Sequence, residues 1–160
     1  IKIALAFAAL FESMVYILFL GWVIALAAAA VAAAAIGVCL IGNFNIAGLI
    51  PPMPYLSALV FGVCFIAFAV FTAAGAYYFF VYSNQMVRAS VRWHKNVVSG
   101  YTLPPLPWAP QFSGKVKRRL RALVLRSATV FGAAFVLSYV VAAFQANALG
   151  FWHAWNWFVG

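Results

Sequence analysis

Few side chains in this sequence could carry a reaction. There is one carboxylate, Glu12, two histidines, His94 and His153, and two cysteines, Cys39 and Cys64. An enzyme site needs convergent polar groups: a nucleophile beside a base, paired carboxylates, or metal ligands at set spacing. The sequence has no paired carboxylates, no Gly-rich phosphate loop and no zinc spacing. Cys39 and Cys64 lie in apolar stretches, where they pack as small polarizable side chains. We therefore expect no catalytic residue, no cofactor and no metal. The side chain that invites a function is Glu12, in "ALFESMVYIL", inside an apolar stretch from Ile3 to Ile41. An ionisable group within a membrane is by default a functional candidate, here for proton or ion coupling.

Composition sets the class. With 68% hydrophobic residues, 7% charged and a mean hydropathy of +1.06, the chain is too apolar for a soluble domain. Several apolar stretches exceed the roughly 18–20 residues that a helix needs to cross a bilayer. Lipid cannot satisfy exposed backbone groups, so the fold expected is all-α: three transmembrane helices, with four as the alternative, plus interfacial amphipathic helices. The chain begins at Ile1 rather than Met, which we read as a fragment lacking an N-terminal part.

Three apolar blocks run from about Ala4 to Ile41, Leu56 to Ser83 and Leu123 to Ala146. The uncharged "GNFNIAGLIPPMPY" between the first two has the chemistry of a turn. Nine of the ten Lys and Arg residues lie between Arg88 and Arg126. Short cationic loops stay cytoplasmic, so residues 84–122 should face the cytoplasm, with residues 42–55 and the C-terminus outside. The first block is too long for one crossing: its 38 residues would make a helix of about 57 Å against about 30 Å of hydrocarbon. We expect a break at Glu12–Ser13, so that residues 14–41 span and 1–12 lie in or re-enter the interface. A hairpin near Gly21–Trp22, giving four spans, is the alternative. At such a break Glu12 would complement a helix N-terminus and reach headgroups or the basic segment.

Within the first span, "ALAAAAVAAAAIG" is a small-residue surface suited to close helix packing, within the chain or with a partner. The second helix should continue through "SNQMVRASVRWHKNVVSG" and stop at Gly100. There Arg88, Arg92 and Lys95 share one face, with Val87, Val91 and Val98 toward another. "YTLPPLPWAP" reads as a stiff extended spacer with Tyr101 and Trp108 as interfacial anchors. Lys115, Lys117, Arg118, Arg119, Arg121 and Arg126 lead into the third span and attract anionic headgroups. Nucleic acid is not an expected partner, because no recognition motif accompanies these charges. Near the C-terminus, Trp152, Trp155 and Trp157 read as anchors of an external interfacial helix at 149–159. His153 has no partner residue in the sequence around it.

The order of parts, through "AAGAYYFFVYSNQMVRASVRWHKNVV" to "FWHAWNWF", resembles the membrane portion of bacterial HAAS-domain proteins, a group of unknown function. The resemblance covers most of the chain and includes no catalytic motif. It implies a cytoplasmic helical domain ahead of Ile1 and a regulatory setting in a bacterial plasma membrane, in the company of PadR-type regulators. The basic, Pro-rich insert departs from that pattern. The expectation is a non-enzymatic membrane accessory, scaffold or regulatory subunit. It would bind anionic lipid and another membrane protein or a second copy. Transport or ion coupling through Glu12 is the alternative.

Overall fold

The structure, a computed structural model, describes residues 2–46, 48, 50, 52–100, 102–147 and 149. It contains three helices: α1 (Lys2–Gly42), α2 (Tyr55–Ser99) and α3 (Gly114–Ala146). Each is long and apolar enough to cross a membrane, and no strand occurs among the described residues. The Trp152, Trp155 and Trp157 anchors, His153 and Tyr101 lie outside the described residues, as does nearly all of the 149–159 helix.

Local chemistry explains where the helices stop. Each is followed by a residue with positive φ: Asn43 at 54°, Gly100 at 67° and Asn147 at 52°. At α1 the Phe44 amide donates to the Cys39 carbonyl at 2.9 Å and the Asn43 amide to Leu40 at 3.4 Å. That paired pattern closes a helix on a left-handed residue. At its start, α3 is capped by Ser113, whose Oγ accepts from the Val116 amide at 3.4 Å. The cations that follow, Lys115, Lys117 and Arg118, oppose the positive end of the helix dipole. Their presence there is not explained by helix stability.

Two expectations are corrected. α1 is a single unbroken helix of 41 residues, about 62 Å long, so neither the break at Glu12–Ser13 nor the hairpin near Gly21–Trp22 forms. The reason lies in the side chains. Ser13 Oγ donates back to the Leu10 carbonyl at 2.7 Å, a bond made inside a continuing helix rather than at a cap. Gly21 costs only about 1 kcal/mol in a helix interior. Glu12 therefore sits about 15 Å from the start of α1, beyond the first-turn reach of the dipole.

Contacts divide the chain into two compact units: Ile1–Ala28 with Ala73–Leu120, and Ala29–Thr72 with Arg121–Gly160. In the second unit, α1 and α2 meet at paired glycines. A Cβ on Gly37 would lie 3.0 Å from the Gly62 carbonyl oxygen, and one on Gly62 3.0 Å from the Gly37 carbonyl oxygen. Backbones approach this closely only where side chains are absent. α3 packs through Ser127, Phe131, Ala134, Ser138 and Ala142 at helical spacing. The Phe131 ring lies 5.5 Å from Phe68, and Ser57 donates to Gln145 Oε1. Buried hydroxyls donate to their own helix: Thr72 to Phe68 at 2.9 Å and Ser138 to Ala134 at 2.6 Å. This is the solution an apolar surround demands.

In the first unit, α1 runs antiparallel to the distal part of α2. Phe19 lies 6.3 Å from Phe79 and 5.8 Å from Tyr82. The Pro-rich stretch then returns along α2 as a strap. Gln85 donates to the Pro107 carbonyl at 2.7 Å and Arg92 to Pro104 at 3.1 Å. Asn96 brackets Leu103, donating to its carbonyl at 2.9 Å and accepting from its amide at 3.1 Å. Positions 85, 92 and 96 share one helix face, and Phe112 ends the strap against Tyr77 and Tyr78. Prolines suit this role, since they hold extended geometry and leave carbonyls free to accept.

Candidate functional site at Glu12

Glu12 belongs to a stripe along α1 that also includes Leu5, Ala8, Val15, Phe19 and Val23, all half-buried. Spacings of three and four keep these side chains on one face. That face meets α2, whose Ser90 and His94 are one turn apart. Ser90 Oγ donates to Glu12 Oε2. His94 Nδ1 lies 3.0 Å from the Ser90 carbonyl oxygen and 3.6 Å from Glu12 Oε2. Both neighbours of Nδ1 are acceptors, so this nitrogen carries the proton. The longer separation is not a hydrogen bond and becomes an ion pair only when the imidazole holds both protons. His94 Nε2 is buried with no hydrogen-bond partner, and the Trp93 ring stands edge-on at 4.9 Å.

The chemistry of this cluster is limited by its bonds. The Ser90 hydroxyl donates its hydrogen bond to a carboxylate rather than to an imidazole nitrogen, so serine and histidine are not arranged as nucleophile and base. Among the described residues no group of three or more His, Cys, Asp or Glu side chains could hold a metal. What the cluster can do is hold a proton or accept a cationic group. Both protein contacts fall on Oε2; Oε1 receives no hydrogen bond from a described residue, and the Glu12 side chain is 35% exposed.

A groove of 540 Å³ runs beside the cluster, lined by Glu12, Tyr16, Phe19, Met86, Lys95 and Trp108 among others. Lys95 makes no ion pair with a described residue. The remaining cations lie apart from Glu12. Arg88 is exposed and Arg92 half-buried under the strap, while Lys115, Lys117, Arg118, Arg119, Arg121 and Arg126 are exposed on α3. Glu12 thus meets the basic segment, but through His94 rather than through an arginine or lysine. The sequence reading missed Ser90 and His94 as its partners.

No model of a known protein family matches the chain, and no curated protein or solved structure does either.

Proposed function

We propose that this protein is a non-enzymatic membrane accessory, scaffold or regulatory subunit that works by packing its helices against other helices. One observation carries the reading. On α1, Ile3, Phe7, Leu10, Met14 and Ile17 recur at alternating spacings of four and three, and all are 57–75% exposed. A row of large apolar side chains at heptad spacing is what a seam with another helix requires. Ala25, Ala29 and Ala32 continue α1 with an exposed small-residue face, which favours close approach in lipid. Topologically, the cations of Arg88 to Arg126 would lie on the cytoplasmic side, where anionic headgroups attract those at the membrane surface. The HAAS-like order of parts accords with a regulatory role.

Isolation in mild detergent followed by mass spectrometry tests the proposal. A stoichiometric companion or a second copy is expected, and it should be lost from a Phe7→Ala, Leu10→Ala, Met14→Ala variant. A strictly monomeric protein without a companion refutes the reading.

A second reading, ion coupling, is favoured by the Glu12–His94 juxtaposition. It requires pH-dependent flux in liposomes that Glu12→Gln abolishes; unchanged flux in the variant, or none in the parent, eliminates it.

A further inference from the structure

Glu12 and Lys95 line the same groove, carry opposite charges and are not paired with each other. In an apolar setting two such groups attract strongly. Their remaining apart leaves room for a group that bridges them. The carboxylate keeps Oε1 unused, since its two protein contacts both fall on Oε2. Between Ser83 and Lys95, both in the lining, the groove follows α2 for about 18 Å. Below Glu12 its walls are Tyr16, Phe19 and Met86, and Trp108 of the strap also lines it. The volume of 540 Å³ falls within the range of about 300–1,000 Å³ typical of small-molecule sites, which are mostly apolar with a few placed polar groups.

From this we infer that the groove holds a zwitterionic glycerophospholipid of the phosphoethanolamine type, its ammonium on Glu12, its phosphate on Lys95 and one acyl chain along Tyr16, Phe19 and Met86. Charge selects this class. A head bearing only a phosphate would bring a second anion beside Glu12. A purely cationic amphiphile would meet Lys95, with Arg88 and Arg92 on the same helix. A head with both charges satisfies both side chains, and the aromatic walls take the chain. Of the exposed cations only Lys95 lines this groove, and its occupancy does not depend on the helix-packing role proposed above.

The test is native mass spectrometry of the full chain with equimolar tetradecanoyl lysophosphatidylethanolamine, tetradecanoyl lysophosphatidic acid and tetradecyltrimethylammonium. The parent should retain the zwitterion in preference to the other two. Glu12→Gln should weaken zwitterion retention about tenfold and shift preference to the phosphate-only lipid. Lys95→Gln should shift it to the cation. Met86→Trp, which fills the groove, should lose all three while helix content by circular dichroism is retained. Equal binding of the three probes by the parent overturns the inference, as does parental preference for the phosphate-only lipid or the cation. Unchanged retention by Met86→Trp overturns it too. The companion sought in detergent extracts is read separately, so either proposal fails without the other.

Discussion

Replacing Gly62 by alanine should destabilise the protein, although alanine is the better helix former. The added Cβ would lie 2.5 Å from Ile41 Cγ1, 3.0 Å from the Gly37 carbonyl oxygen and 3.2 Å from the Ile41 amide nitrogen. Carbon atoms at rest sit about 3.5–4.0 Å apart. The Ile41 side chain can turn away, but two of these three contacts are backbone, so the helices must separate by a few tenths of an ångström. Separation weakens every neighbouring dispersion contact, and overpacking typically costs about 1–3 kcal/mol. The intrinsic gain of alanine over glycine, up to about 1 kcal/mol, offsets part of this, leaving a net loss of about 1–2 kcal/mol. Gly37→Ala should behave alike, since its Cβ would meet Ile66 at 2.8 Å and the Gly62 carbonyl oxygen at 3.0 Å. Gly21, Gly75 and Gly132 supply the internal control: a Cβ on any of them meets nothing within 4 Å. Alanine at those positions should leave stability unchanged or raise it by up to about 1 kcal/mol. Reversible unfolding in lipid bilayers reads both sets. Were Gly62→Ala as stable as the parent, or Gly75→Ala equally damaging, the reasoning from backbone contact would be wrong.

Three further outcomes are expected. Asn96→Ala removes both hydrogen bonds to Leu103 and should cost about 1–2 kcal/mol locally, seen as faster amide exchange at Leu103 and its neighbours without loss of global helix content. In a double-mutant cycle, Ser57→Ala with Gln145→Leu should couple by about 0.6–1.7 kcal/mol; additive effects would show that the bond contributes nothing. At Asn43, glycine should be nearly neutral, whereas valine at a φ of 54° should cost about 1–2 kcal/mol in the same unfolding assay.

Much of the fold was legible because punctuation in this sequence is chemically plain. Gly100 and the Asn and Pro residues of 42–55 mark real ends, and the Pro-rich stretch is extended as its prolines require. The misplaced break at Glu12–Ser13 came from weighing bilayer thickness above local helix chemistry: nothing in "FESM" interrupts a helix, and length alone does not bend one. The partners of Glu12 were harder to read. Counting equal lengths back from the 42–55 loop brings Glu12 alongside Gln85, more than a helical turn short of Ser90 and His94. The arginines within 84–99 drew attention by charge, but their direction around α2 is set by the strap. The glycine pair was hidden for a similar reason, since Gly37 and Gly62 acquire meaning only once the register of α1 against α2 is known.

The strap also acts as a ruler. Because Phe112 lies against Tyr77 and Tyr78, the first turns of α3 begin near that level of α2 and not at its distal end. Arg88, Arg92 and Lys95 lie 10 to 17 residues further along the α2 sequence, about 15–26 Å along its axis. Lys115, Lys117, Arg118 and Arg119 thus form one tier of charge and the α2 cations another. The spacing exceeds a Debye length of about 8 Å at physiological salt, so the tiers act independently and a flat anionic surface across the helix axis meets only one. Each step between them is fixed by the reach of a few prolines, so shortening the strap would move one set of charges relative to the other without altering a single helix.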